Sequence, residues 1–297
     1  MLNIKSCAKI NLSLRVKEKR TDGYHNLEMT LSPISIYDSI TISKRDDCKI
    51  QVTCSPHGPN GPENLAYKAA NYFFSKTKIK SGVEIIIDKK IPIGGGLGGG
   101  SSNAAHALMG LEKLFGATIK PYDYNEIAYN LGADVPFFLA GKTSFVQAIG
   151  NELTPTPFNS PLYLIVISPD FGLSTKEIFS KFDKHSNNLE LTRGQANDNN
   201  SKNLKVLPCS KNDSYFFRND LQDVACLINN KIGGLIDLLI EHGALKALMT
   251  GSGSSVYGIF ENHMVQGEAF KSLTKILNSN KKPGFNNCKL FMAQTLD

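Results

Sequence analysis

No stretch of the 297 residues approaches the roughly twenty consecutive apolar residues that a membrane-spanning helix needs, and the N-terminus has no basic segment leading into an apolar one. A membrane or exported protein is not expected. A cytoplasmic one is, and an organellar protein whose targeting segment had been removed would begin the same way. The six cysteines, Cys7, Cys48, Cys54, Cys209, Cys226 and Cys288, form no Cys-x-x-Cys pair and no zinc-ligand spacing with histidine. They are expected to be buried thiols in a reducing compartment. Lys and Arg form no long run, although the net charge is +6. Attraction of phosphorylated small molecules accounts for that sign, and nucleic-acid binding is not expected as the main role. There is no internal repeat.

What is present is an ordinary folding composition, 41% hydrophobic and 20% charged, which excludes disordered and fibrous classes. The length exceeds what one core usually supports, so two domains are expected, residues 1–157 and 158–297. Apolar residues alternate through Ile10, Leu12, Leu14 and Val16, the period of a strand with one buried face, which puts Lys9, Asn11, Ser13 and Arg15 together on the other. Asp22-Gly23 marks a turn, and a β-rich stretch follows. Asn64 suits the N-cap of a helix, the β-branched run from Val83 to Ile87 reads as a strand, and residues 124–130 read as helical. From His185 to Asn212 the chain is rich in Asn, Ser and Lys and reads as a long surface excursion. Two amphipathic helices, the segment LMTGSGSSVYGIF, a helix ending near Leu277 and the strand CKLFMA complete an α+β layer.

Between strand and helix the chain runs through Pro92 and Ile93, then Gly94, Gly95 and Gly96, Leu97, then Gly98, Gly99 and Gly100, then Ser101 and Ser102. So much glycine is costly to order, and close approach of the backbone to a ligand is a reason to keep it. Where such a loop opens a helix, unpaired N–H groups and the positive end of the helix dipole converge on one point, a site for polyphosphate. Ser101 and Ser102 would add hydroxyl donors or magnesium ligands. A flexible turn is the plain alternative. The spacing G-x-G-x-x-G at Gly94, Gly96 and Gly99 also raises a dinucleotide-dependent oxidoreductase, but that fingerprint belongs in the first tight strand-to-helix turn, and here a DKKIPI spacer intervenes. Walker A fails because no Lys precedes the serine.

Asp134 lies between LGA and VPFF, where apolar neighbours and a proline define its position, and is the candidate general base; a helix N-cap or a structural acid is the other reading. Lys9 is the natural cation to keep it ionised and to meet a transferred phosphoryl, although a solvated strand lysine is the usual role. Asn11, on the same face, can bond the substrate.

The segment PIGGGLGGGSS resembles the phosphate loop of the GHMP kinase superfamily, and AKINLSLRV and LMTGSGSSVYGIF resemble its first and third motifs. AKINLSLRVKEKRTDGYHNLEM, PENLAYKAA, LGADVPFF and NDLQ are similar to the branch whose substrate is a cytidyl-diphosphate sugar alcohol. The likeness covers nearly the whole chain except residues 183 to 214. It implies a two-domain α+β fold with the active site in the cleft between domains, ATP as phosphoryl donor accompanied by Mg2+, and a place in the non-mevalonate isoprenoid pathway. It also implies that Tyr24 stacks on the cytosine, His25 hydrogen-bonds it, Thr175 and Phe179 lie on the far side of the base, and Asn64 lies on the ATP side. Gly251, Ser252 and Gly253 would shape the floor of the phosphate site. The alternatives are another superfamily kinase, of the mevalonate or homoserine type, and a nucleotide sensor without activity. Sequence offers no metal ligand set and no oligomeric state.

Overall fold

The computed structural model describes residues 1–119, 126, 130–148, 152–156, 160–190, 216–279, 284–285 and 287–296. The expected helix at 124–130 lies mostly outside them, as does the excursion from 191 to 212. The first six residues of that excursion, 185–190, are the end of a helix instead.

Two sheets organise the chain. Alternating apolar residues build strands β1 (Leu2–Lys19) and β2 (His25–Arg45), paired antiparallel around the Asp22-Gly23 turn, where Gly23 takes φ +88°. Strands β3 (Ile50–Ser55), β4 (Gly82–Asp88), β5 (Ser144–Ala148) and β6 (Glu152–Pro155) extend this sheet. The length of β2 lets β4 pair with one of its ends and β5 with the other. The second sheet, in the order β11-β7-β10-β9, is antiparallel, with β7 (Tyr163–Ser168), β9 (Lys246–Met249), β10 (Val256–Phe260) and β11 (Lys289–Gln294). A two-residue strand from the later half, β8 (Arg218–Asn219), returns to pair parallel with β1 in the first sheet.

Helices α1 (Leu65–Thr77), α2 (Gly99–Phe115) and α3 (Val135–Ala140) follow elements of the first sheet. Helices α4 (Thr175–Glu190), α5 (Gln222–Ile228), α6 (Lys231–Glu241) and α7 (His263–Leu277) belong with the second. Asn64 caps α1 as its residue type suggested, its Oδ1 accepting the Ala66 N–H at 2.8 Å. Helix α2 begins four residues before Asn103, where the apolar periodicity places its start, so Gly99, Gly100 and both serines form its first turn. Ten residues separate the end of β4 from that turn, which is not the tight crossover of a dinucleotide fold.

One expectation fails at β1. Lys9, Asn11, Ser13 and Arg15 are all buried, so the strand has two covered faces instead of one. The reason is its place between layers. Ala8, Ile10 and Leu12 pack with Leu164, Val166, Tyr257 and Ile259 of the second sheet, fusing the two halves through one apolar cluster, while on the polar face Lys9 lies against Gly98, Asn11 against Thr250 and Gly251, and Ser13 against Thr30. The cysteines also divide: Cys7 and Cys54 are buried, Cys226 and Cys288 half-buried, and Cys48 exposed in the turn before β3, while Cys209 lies outside the described residues. Among the described residues no helix is long and apolar enough to cross a membrane.

Candidate active site

The β1–β2 pairing shifts register between Cys7 and Ala8 and again between Asn11 and Ser13. Such irregularities re-aim side chains, and here they flank the segment that carries Lys9. Its side chain is 5% exposed, and its Nζ donates to Asn11 Oδ1 at 2.7 Å and stands 3.8 Å from Asp134 Oδ2. Asp134 occupies the N-cap position of α3 yet makes no capping hydrogen bond, and its side chain is 32% exposed. A carboxylate at a helix start that leaves the helix N–H groups alone is not there to cap. It faces a buried cation and open space.

Asn11 is 2% exposed. Its Oδ1 takes the Lys9 ammonium, its N–H donates to Thr250 Oγ1 at 3.0 Å, and its Nδ2 reaches Met29 Sδ at 3.4 Å. Buried Tyr257 donates its hydroxyl to the Asn11 carbonyl at 2.9 Å, and burial raises its phenol well above the ordinary range, so it stays a donor. Asn11 therefore serves as the seat of Lys9.

The glycine loop crosses directly over this seat. Lys9 N–H donates to the Leu97 carbonyl at 3.0 Å, and Leu97, the one side chain in the glycine run, is pinned in the cluster between the sheets. Gly98 takes φ +69° at the N-cap of α2, and a Cβ there would stand 3.0 Å from both Lys9 Cγ and the Phe138 ring. Gly96, at φ +76°, passes so close to the third motif that a Cβ would meet the Thr250 carbonyl at 2.4 Å. At Gly96 no side chain fits over the Thr250 carbonyl, and at Gly98 one would press on Lys9 and Phe138 in a strained left-handed backbone. The third motif is itself held from below, where Asn219 Nδ2 donates to the carbonyls of Met249 and Gly251, both at 2.8 Å.

On the far side of the loop lies a cavity of about 380 Å³, lined by Pro92 through Ser101 together with Cys54, Gly58, Pro59, Glu63, Asn64, Leu65, Lys89 and Asn103. The loop thus has a nucleotide-sized space on one side and the Lys9–Asp134 pair on the other. N–H groups in the first turn of α2 have no partner inside the helix and carry its positive dipole end. Ser101 faces the cavity. Ser102, one helical step on, is fully buried: its Oγ lies 3.3 Å from His106 Nδ1, and it hydrogen-bonds Cys7, whose thiol burial pushes up to about 11. Burial pushes the His106 imidazole below its ordinary range, and its Nδ1 lies 2.9 Å from the Ser102 carbonyl.

Beyond Lys9, at the end of the β1–β2 hairpin, His25 and Phe179 stack on each other at 5.4 Å and 20°. Phe182 meets His25 edge-on at 6.4 Å, and His25 Nε2 lies 2.8 Å from Asp183 Oδ1. Thr175 Oγ1 lies 2.8 Å from Ser252 Oγ, which ties the start of α4 to the third motif. Tyr24 is 69% exposed at the hairpin end and touches none of these rings. Sequence reasoning missed Thr250, Tyr257, Asn219, Asn103 and Asp183. The first three stand inside LMTGSGSSVYGIF and NDLQ, but their signal there is a hydroxyl or amide, with nothing to say what it holds. Among the described residues no group of three or more His, Cys, Asp or Glu could hold a metal ion.

Comparison with known proteins gives this geometry a context. Residues 64–142 match the GHMP kinases N terminal domain, and residues 210–278 match the GHMP kinases C terminal family. A protein of Geobacter metallireducens named 4-diphosphocytidyl-2-C-methyl-D-erythritol kinase is 37% identical over 276 residues, covering 92% of this chain and 94% of its own. A crystal structure of 4-(cytidine 5'-diphospho)-2C-methyl-D-erythritol kinase superposes with TM-score 0.77 at 26% identity, covering 100% of both chains. A mevalonate kinase structure shares the fold, with TM-score 0.66 at 17% identity and full coverage of both chains.

Proposed function

Because the chain belongs to the 4-diphosphocytidyl-2-C-methyl-D-erythritol kinase family of the GHMP kinases, we propose that it transfers the γ-phosphoryl of ATP to the 2-hydroxyl of 4-diphosphocytidyl-2-C-methyl-D-erythritol, giving the 2-phosphate and ADP, in the non-mevalonate isoprenoid pathway. It is a small-molecule phosphotransferase and ATP is its donor. The observation that carries the reading is the glycine loop lying between a cavity and a paired lysine and aspartate.

ATP sits in the cavity with its phosphates along the N–H groups of residues 94–100, and Asn64 and Pro92 through Ser101 surround it. The γ-phosphoryl then points over Gly98 toward Lys9. Asp134 accepts the proton of the acceptor hydroxyl as its oxygen bonds to Pγ and the bond from Pγ to the β–γ bridging oxygen breaks. Lys9, seated by Asn11, meets the charge on the transferred oxygens. Ser102 is a support of the helix in this reading. The Ser101 hydroxyl at the cavity fits the oxygen chemistry of Mg2+, which keeps most of its ligands as water and substrate phosphate and, when bound, neutralises charge on the phosphates. The cytidine lies against Tyr24, His25, Thr175 and Phe179. Residues 1–157 form one half of the molecule and 158–297 the other, with the active site in the cleft between them. A cytoplasmic enzyme acting on a small molecule, with no nucleic-acid partner, completes the proposal.

ADP release measured with a panel of acceptors tests it. The cytidyl-diphosphate methylerythritol should turn over, with mevalonate and homoserine at background. Turnover of either of those would select another superfamily reaction, and no turnover of any acceptor would favour a nucleotide sensor.

A further inference from the structure

Asp38 stands on β2 with no solvent exposure. Its Oδ1 accepts two main-chain N–H groups, of Lys90 at 2.7 Å and Ile91 at 2.8 Å, and its Oδ2 pairs with Lys89 Nζ at 2.5 Å. The Lys89 N–H is taken by the Ser55 carbonyl at 2.7 Å. Three successive main-chain donors are thus fixed immediately before Pro92, where the chain enters the glycine loop. Cohesion alone does not call for a buried carboxylate, since well-packed apolar residues replace buried ion pairs with little or no loss of stability. What charge-assisted bonds to main-chain N–H groups add is a defined position. The middle of the loop is fixed separately, by Leu97 in the apolar cluster and by the Ser255 N–H on the Gly95 carbonyl at 3.3 Å. At the entry, Asp38 and Ser55 hold the main chain, while the Ile91 side chain is buried in the same apolar cluster as Leu97.

We propose that Asp38 is a positioning residue for the nucleotide: by holding the N–H groups of Lys90 and Ile91 it sets where the glycine loop enters the cavity, and hence where the loop's own N–H groups meet phosphate. The inference rests on reading that loop as the ATP phosphate site. Asp38 touches no substrate, and its influence reaches ATP through the backbone. The acceptor side, on the opposite face of the loop, is outside its reach.

The test compares two double variants that both lack the buried ion pair. Asp38→Asn/Lys89→Met keeps an oxygen acceptor for the two N–H groups, whereas Asp38→Leu/Lys89→Met removes it. Neither leaves a buried charge unpaired, and Lys89 is absent from both, so their difference isolates the main-chain bonds. The Leu variant should show an ATP KM about tenfold above that of the Asn variant, as expected for two lost hydrogen bonds of ordinary strength. Their kcat values and KM values for the cytidyl substrate should agree, whatever their melting temperatures. Should the Leu variant not fold, Asp38→Ala/Lys89→Met takes its place, read as ADP affinity by calorimetry. Equal ATP KM in the two variants, or equal loss for both substrates, would overturn the proposal and leave Asp38 as framework only. Failure of the underlying reading looks different: Gly98→Val in the otherwise unaltered protein would then bind ADP normally.

Discussion

The proposed nucleotide side and the proposed cytidyl side of the site are built from different material. The nucleotide side is main chain: a glycine run, a helix start and a floor of carbonyls, with side chains such as Leu97 and Thr250 serving to hold backbone in place. The cytidyl side is side chain on side chain, with His25 and Phe179 meeting across more than a hundred and fifty residues and stacking on one another at 5.4 Å. A backbone site is complete before ligand arrives. Rings already stacked on each other must separate or be approached at their edges for a base to lie between them, because a base needs its own face-to-face spacing on each side.

Between the two regions sits the Lys9–Asp134 pair, and removing it should have the largest effect of all. Asp134→Asn is expected to lower kcat by about a hundredfold or more while ATP binding stays near normal, because shape is kept and only the proton acceptor is lost. Steady-state kinetics beside calorimetric ADP binding reads both quantities, and near-normal turnover would remove Asp134 as base. Lys9→Ala should lower kcat by about a hundredfold as well. A change confined to ATP affinity would instead assign Lys9 to uniform binding.

The contrast itself is sharpened by substitutions on each side. Gly98→Val puts a branched side chain at φ +69°, into the space of Lys9 and Phe138. We expect ATP KM to rise by tens of fold, on the order of the 2 kcal/mol that a strained position and a displaced phosphate cost together, with the cytidyl KM less affected. The opposite pattern belongs to Tyr24→Ala, which should raise the cytidyl KM by about tenfold and leave ATP alone, since base stacking on an aromatic ring is typically about 1 to 3 kcal/mol. Tyr24→Phe should retain most of it. Equal loss for both substrates, with a lowered melting temperature, would take Tyr24 out of the site. The smallest effect expected is at Asn64→Ala, where loss of the α1 cap costs about 1 kcal/mol in chemical denaturation; Asn64→Ser keeps a capping oxygen without the Nδ2 bond to the Pro59 carbonyl and should restore part of it.

This division also decides what could be read from sequence. A backbone site writes itself as composition, so the glycine run, the α1 cap at Asn64 and the strand alternation in β1 were all legible. So was the defined position of Asp134, because Gly132 and Pro136 frame it. The second covered face of β1 was not, since alternation reports that one face is apolar and says nothing of what roofs the other. Nor was the burial of Ser102, which follows from helix geometry once α2 is known to begin at Gly99. Contacts such as His25 with Asp183 or Asn11 with Thr250 depend on how two sheets meet, and local pattern carries no record of that. The family resemblance supplied the expected roles of His25 and Phe179, for which the residues alone give no signal.

Phosphorus NMR of the wild-type reaction with ATP and the cytidyl-diphosphate methylerythritol shows which hydroxyl receives the phosphoryl. The 2-carbon of the acceptor bears a methyl group and no hydrogen, so a phosphoryl placed on its hydroxyl has no proton three bonds away. Transfer to the 2-hydroxyl should give a new phosphomonoester singlet, growing in step with ADP while the cytidyl diphosphate signals persist. A triplet or doublet, the mark of transfer to a primary or secondary hydroxyl, or ADP formation with only free phosphate, would contradict it.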